Sequence, residues 1–356
     1  MERHPLIAED CTRAAHQTDS LWNDLAGKRV FITGGTGFFG TWFLELLTTA
    51  IDLREIDCDV VVLSRDPGKF SRGPAGHLVH HRCIRMLQGD VCSFIYPAGN
   101  FEYVAHFGST GPKSWHDADP LGFYDVVVNG TRRVLDFCVR AEARRFLLAS
   151  SGLVYGNHGT LPSAPIAETY AGCSDPASVA SANAESKRAA EFLTVATARA
   201  HPSLSVAIAR GFAFIGPYMP ERATFAAYDF IQDAISGRSL TINGDGTPVR
   251  SYLYGADLAI WLWTLLLRAS ENTTWNVGGE IPVSIKELAE HVAGASSPRP
   301  PVKVSRAPSK DQPAAWYVPN TAKARQQLGL TETHSLDESV GRTLRWYREI
   351  TKKCPI

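Results

Sequence analysis

Seven residues constrain the fold of this chain more than any others: Gly34-Gly35-Thr36-Gly37-Phe38-Phe39-Gly40, with glycines at GxxGxxG spacing. They follow an apolar run, Arg29–Thr33 (RVFIT). They also open a segment, Thr36–Ile51, that carries Phe38, Phe39, Trp42, Phe43 and Leu46 along one helical side. A strand turning sharply into a helix leaves backbone N–H groups uncovered at the helix N-terminus, which suits an anion. In such a turn Gly34 permits the tight bend and Gly37 lets the backbone approach a pyrophosphate. Gly40 lets the helix lie close on the strand. Thr36, Phe38 and Phe39 complete the loop. The flanking strand and helix separate a dinucleotide site from a mere glycine-rich turn.

The same alternation continues downstream. Val60–Leu63, Phe101–Phe107, Arg145–Ser151 and Leu204–Arg210 are strand-like runs, while Asp125–Ala141 and Lys187–Ala200 have helical period. Strands alternating with helices predict an α/β protein built on a doubly wound parallel sheet of the Rossmann type. After Gly211 prolines and glycines break the pattern, although Trp275–Val277 still reads as a strand. Two helical patterns then flank the proline-rich Ser296–Pro301. The expected organisation is an N-terminal arm over 1–27 and a dinucleotide-binding domain over 28–210, its sheet completed by about 274–278. Residues 211–356 form mainly a smaller substrate-binding lobe.

Composition removes several classes. Thirty-six Lys+Arg balance thirty-six Asp+Glu, so no basic excess supports a nucleic-acid partner or an anionic membrane surface. The longest oily stretch, Ala259–Leu267, is far short of the roughly twenty residues that cross a bilayer. It reads instead as a buried helix. The first thirty residues contain no apolar signal core. Seven scattered cysteines show no CxxC pair, which suggests neither a metal site nor a disulfide framework. The expected setting is the reduced cytoplasm.

The residues after the second strand bear on the cofactor, because an acidic side chain there suits NAD and an arginine suits NADP. Ser64-Arg65-Asp66 offers both. NAD is expected, with NADP left open by Arg65; Asp66 also fits a loop cap. Asp90, after Gly89, either meets the adenine or caps the next helix.

Taken together, these residues resemble the extended short-chain dehydrogenase/reductase superfamily, specifically NAD(P)-dependent nucleotide-sugar epimerases and dehydratases. The resemblance runs from about Lys28 to Leu330. It rests on Gly34–Gly40, Gly89-Asp90, Asn129-Gly130-Thr131, Ser150–Gly156 (SSGLVYG), Ser186-Lys187, Arg210–Pro217, Gly244–Tyr254, Asp257-Leu258-Ala259 and Asn276-Val277-Gly278. It implies a transient oxidation in which a YxxxK tyrosine, its phenol acidified by the lysine, takes a proton from a sugar hydroxyl that a nearby serine also holds. Ser151 falls at the serine position and Lys187 at the lysine position. Where the tyrosine belongs stands Asn183.

Asparagine carries no titratable proton near neutrality and cannot be a general base. Three explanations compete. The chain is an inactivated form of an ordinary enzyme; or another group serves as base, Lys187, Tyr155 and Tyr170 being the candidates; or it is a catalytically silent binding protein.

The resemblance also narrows the reaction. Related 4,6-dehydratases carry an Asp-Glu pair before VYG, and UDP-glucuronate decarboxylases commonly keep the glutamate. Here the positions are Gly152 and Leu153, which move no proton, so an epimerase, C4 favoured, is expected. A dehydratase or decarboxylase would need relocated groups such as Glu168 or Asp175. By the same resemblance the substrate is a nucleoside diphosphate sugar, with Arg250 on the diphosphate and Arg210 beside the sugar. Asp257 reads as a helix N-cap. Helices over 119–141 and 183–200 are those through which relatives often form homodimers.

Overall fold

Alternating apolar residues build the centre of the molecule. In Lys28–Thr33 (β1), Val30 and Ile32 point to one side of a sheet and Phe31 to the other, all three fully buried. Such double burial marks a parallel sheet covered on both faces. The computed structural model describes residues 2–108, 118–156, 161–172, 174–220, 225–269, 273–308 and 314–353.

The other strands are Cys58–Ser64 (β2), Ile84–Gln88 (β3), Tyr103–His106 (β4), Arg145–Ser151 (β5), Ser205–Gly211 (β6) and Thr273–Val277 (β7). All pair in parallel, in the order β7-β6-β5-β4-β1-β2-β3. The strand order reverses at β1, which pairs with both β2 and β4. Ligands of doubly wound sheets bind at that crevice, beyond the carboxyl ends of the strands.

Helices Phe38–Arg54 and Gly255–Arg268 pack on one face of the sheet, Pro120–Arg140 and Ala182–Ala200 on the other. Trp263 stacks on Phe43 with ring centres 3.8 Å apart, and its Nε1 donates to the Phe43 carbonyl. The oily run Ala259–Leu267 is therefore core. Among the described residues no helix is long and apolar enough to cross a membrane.

The N-terminal arm is folded into this core. Leu6, Ile7, Cys11 and Ala14 of helix Pro5–Gln17 are buried, as are Trp22 and Leu25 of the following turn. Among the described residues the C-terminal region contains three small sheets. One pairs Phe214–Ile215 with Leu253–Tyr254, another Leu240–Ile242 with Val302–Val304. The third sets Val249–Arg250 between Val283–Ser284 and Trp316–Tyr317.

Three local differences from the sequence reading have simple causes. β3 is an edge strand (IRMLQ) of half-buried and exposed residues without a continuous apolar run. Beyond Pro282 the described residues form three helices, Ile285–Gly294, Ala322–Leu328 and Leu336–Lys353; the middle one has only two turns and little periodicity to show. Asp257 does not cap its helix. It is buried in the first turn and accepts from the backbone N–H groups of Thr333 and His334, each at 3.1 Å.

Candidate functional site

The glycine loop has the geometry its spacing required. Gly34 adopts φ +67°, and a Cβ on it would come within 2.4 Å of the Gly108 nitrogen. A Cβ on Gly40 would stand 2.3 Å from the Gly35 Cα and 2.4 Å from the Gly34 carbonyl oxygen. Gly37 is different: it is exposed, and a Cβ there would touch nothing closer than 3.5 Å. That open face lies at the start of the Phe38–Arg54 helix, whose N-terminus has no capping side chain. A pyrophosphate fits this cradle, with the positive end of the helix dipole behind it. The rings of Phe38 and Phe39 turn inward, Phe39 packing edge-on against Phe214 at 4.9 Å. Thr36 is half-buried in the same loop.

At the end of β2, Ser64 is buried and Arg65 exposed, while the Asp66 carboxylate accepts from Lys69 N at 2.8 Å and caps the next short helix. Asp90 accepts from Cys92 N at 2.9 Å. Each aspartate thus accepts a hydrogen bond from the backbone just after it.

Beneath the loop lies a buried histidine that the sequence did not signal. His106 contacts Thr33 Oγ1 at 2.5 Å and Thr131 Oγ1 at 3.1 Å. Burial, with the Lys187 charge adding to it, drives its pKa down to about 3, so the imidazole stays neutral. Nothing around a lone histidine in an apolar strand announces such a place.

Ser151 ends β5, and its Oγ accepts from Leu153 N at 3.2 Å. Lys187 is fully buried on the Ala182–Ala200 helix, and its Nζ donates to the Ala149 carbonyl at 2.7 Å, two residues before Ser151. Burial lowers its pKa to about 8, against the pull of Glu191. Asn183 lies half-buried one turn earlier, its carbonyl accepting from Ser186 Oγ. Sheet and helix thus bring serine and lysine to one strand end, with an amide where the resemblance called for a phenol.

Arg210, expected beside the sugar, is paired within the protein. It forms a forked pair with Glu191, at 2.6 Å from Nη2 and 3.0 Å from Nε, and Glu191 also accepts from Ser150 Oγ at 2.5 Å. Its guanidinium covers the Tyr155 ring at 4.7 Å. A charge so committed orders the wall of the site.

Tyr155 is equally committed. Its hydroxyl donates to Asn276 Oδ1 at 2.7 Å, and burial pushes its pKa up to about 12. Glu168 accepts from Asn276 N at 2.9 Å. Tyr170 lies at the surface, its ring 6.2 Å from that of Tyr155.

Arg250 is half-buried. Its Nη1 donates to the carbonyls of Val249 (2.8 Å) and Ala315 (3.3 Å). Among the described residues no carboxylate pairs with it, and burial lowers its pKa. An arginine held by carbonyls alone keeps its charge for an anion.

Beside Arg250, with the guanidinium 5.6 Å from its ring centre, stands Tyr317. Its hydroxyl reaches toward the Gly211 carbonyl (3.4 Å) and interacts with the Ser151 side chain. The sequence reading missed this residue, which reaches the site only through the pairing of Trp316–Tyr317 with Val249–Arg250.

A seven-stranded parallel sheet with a glycine cradle at its switch point, and a serine and buried lysine at the adjoining strand end, defines a dinucleotide-dependent enzyme of the Rossmann class. The chain belongs to the NAD dependent epimerase/dehydratase family, whose profile matches residues 30–278. It is accordingly an NAD-dependent enzyme of epimerase/dehydratase type. Among curated proteins it is similar to UDP-glucuronic acid decarboxylase 2 of Arabidopsis thaliana, 28% identical over 91% of this chain and 69% of the relative. UDP-glucuronic acid decarboxylase 1 of Xenopus tropicalis is 26% identical over 90% of this chain and 72% of its own length. Among solved structures, the fold matches UDP-glucose 4-epimerase of Thermotoga maritima with a TM-score of 0.73, at 20% identity, over 90% of this chain and 99% of that one. UDP-N-acetylglucosamine 4-epimerase of Methanobrevibacter ruminantium M1 matches with a TM-score of 0.76, at 19% identity, over 91% and 99% respectively.

Proposed function

We propose that this chain is a nucleotide-sugar epimerase that works by transient oxidation of a sugar hydroxyl, at C4. The observation that carries the reading is the seating of Lys187. Fully buried, it is anchored to the Ala149 carbonyl beside Ser151, while the next two positions, Gly152 and Leu153, offer no acid or base for elimination.

NAD, when bound, supplies the hydride acceptor. Gly34, Gly37, Gly40 and the first-turn N–H groups would hold its pyrophosphate, and Lys187 would supply a positive charge to the site. Ser151 and Asn183 orient the reacting hydroxyl by hydrogen bonds. Arg250 takes the diphosphate, its planar fork matching phosphate oxygens. Arg210 holds the wall through Glu191. The division of labour follows the chain: residues 28–210 with 274–278 serve the cofactor, and most of 211–356 serves the substrate.

A second reading, decarboxylation of a UDP-hexuronate, is favoured by the similarity to UDP-glucuronic acid decarboxylases. Incubating the NAD-loaded protein with UDP-glucose, UDP-galactose and UDP-glucuronate, followed by mass and NMR, decides between them. Unchanged mass with inverted C4 means epimerase; loss of carbon dioxide means decarboxylase; loss of water means dehydratase. No conversion, with nucleotide retained, means a silent binding protein.

The reading includes a homodimer and a cytoplasmic setting. Helices Pro120–Arg140 and Ala182–Ala200 pack together and expose Leu121, Val139, Phe192 and Val195, an apolar surface suited to a second copy. Light scattering should give twice the 38.9 kDa chain mass, and Phe192→Asp should give monomer. The free thiols of Cys11, Cys58, Cys83, Cys92 and Cys138 suit a reducing compartment.

A further inference from the structure

With asparagine at 183, the site lacks the phenol expected to remove the hydroxyl proton, yet the C-terminal lobe brings another. Tyr317 ends the strand Trp316–Tyr317, its ring packed 4.6 Å from that of Phe212. Its hydroxyl meets the Ser151 side chain, the Gly152 backbone and, at 3.4 Å, the Gly211 carbonyl.

The room for that hydroxyl comes from a single glycine. A Cβ on Gly152 would stand 2.8 Å from Tyr317 Oη and 2.9 Å from Phe212 Cζ. Any side chain at 152 therefore competes with the phenol for the same space. The residue that deprives the VYG segment of one acid/base group is the one that seats another.

We propose that Tyr317, acting on the substrate through Ser151, is the proton carrier of this site in place of the phenol absent at position 183. This rests on the epimerase-type oxidation proposed above. In the proton step the sugar O–H bond breaks and its electron pair stays on oxygen. The proton moves to Ser151 Oγ as the Ser151 proton moves to the Tyr317 phenolate oxygen. Hydroxyl becomes alkoxide and phenolate becomes phenol; the return reduction reverses both transfers.

The groups facing Tyr317 favour its phenolate: the Ser151 hydroxyl, the Gly152 backbone, and the Arg250 charge from the neighbouring strand. Tyr155 opposes it, and burial outweighs them all, pushing the phenol up to about 12. Turnover should therefore climb through the alkaline range. Were Lys187 the carrier, it would level off once that amine, at about 8, had titrated.

The test uses the full NAD-loaded chain and whichever of UDP-glucose, UDP-galactose or UDP-glucuronate it converts. Tyr317→Phe keeps the ring and is expected to lower kcat about 100-fold or more, with KM and melting temperature little changed. The wild-type rate should rise with pH beyond 8, and Tyr317→Phe should abolish that rise. Gly152→Ala, which crowds the hydroxyl without deleting it, should also lower kcat. Asn183→Tyr should restore turnover to Tyr317→Phe. A Tyr317→Phe enzyme within about threefold of wild type, or a wild-type profile that levels off near pH 8, would overturn the assignment. A wild-type chain that converts none of the three sugars refutes the parent reading, and this one with it. An active wild type with an equally active Tyr317→Phe refutes this one alone.

Discussion

Replacing Asp10 by asparagine removes one charge and almost no volume from the contact that holds the N-terminal arm to the rest of the protein. The Asp10 carboxylate is fully buried. It accepts from Tyr254 Oη at 2.8 Å and faces Arg342 at 2.7 Å, Arg13 at 3.4 Å and His334 at 3.6 Å. Removing one partner of a buried ion pair costs about 3–5 kcal/mol, because the other charge stays buried and uncompensated. Arg342 keeps a second carboxylate, Glu9 at 3.2 Å, but that side chain is 61% exposed and compensates weakly. The lower end, about 3 kcal/mol, is therefore expected. With about 2.1 cal/mol/K of unfolding entropy per residue, each kcal/mol is worth roughly 1.3 °C in a chain of this size, so Asp10→Asn should lower the melting temperature by about 4 °C. Differential scanning calorimetry at neutral pH measures it, with Glu9→Gln as a control expected to cost under about 0.5 kcal/mol. Limited proteolysis should then cut the arm before the sheet. A fall below about 2 °C, or an arm as resistant as wild type, would refute the view that Asp10 anchors it.

His334, between Asp10 and Asp257, adds a pH dependence: burial opposes its charge, but hydrogen bonds to both carboxylates outweigh that and raise its pKa. Its contribution is then complete below about pH 6.5, the ordinary histidine value, and is lost as pH rises through the higher folded value. Melting temperature should fall over that window, and His334→Gln should flatten the fall. Gly40→Ala, whose Cβ would meet backbone atoms at 2.3 Å and 2.4 Å, should cost about 1–3 kcal/mol. Its NAD content, assayed after denaturation, should drop with it. Arg250→Ala should raise KM for the nucleotide sugar about 10- to 100-fold while leaving kcat within a few-fold, because it removes a contact made equally in ground and transition states.

What the sequence determined by itself was local. The glycine loop, the strand before it and the helix after it are joined by covalent spacing, and a turn with φ +67° at Gly34 and no room at Gly40 is legible in seven consecutive letters. Ser151 and Lys187 were legible for the same reason, each sitting in a short motif at a strand end or helix start. The doubly wound sheet followed from the period of the apolar runs, apart from edge strand β3, whose half-buried and exposed residues leave no such run.

Tertiary structure alone decided which charges are already taken. Arg210 and Arg250 are alike as letters, but Glu191, nineteen positions from Arg210, binds one, while among the described residues no carboxylate meets the other. Tyr155 lies in a recognisable motif and turns its hydroxyl to Asn276; Tyr317 lies in none, and its hydroxyl reaches the Gly211 carbonyl and the space over Gly152, next to Ser151. Spacing along the chain fixes backbone geometry over a few residues. Which side chains share a buried space depends on strand pairings as much as 73 residues apart, such as Val30 with Tyr103, and that space decides which titratable groups are already committed.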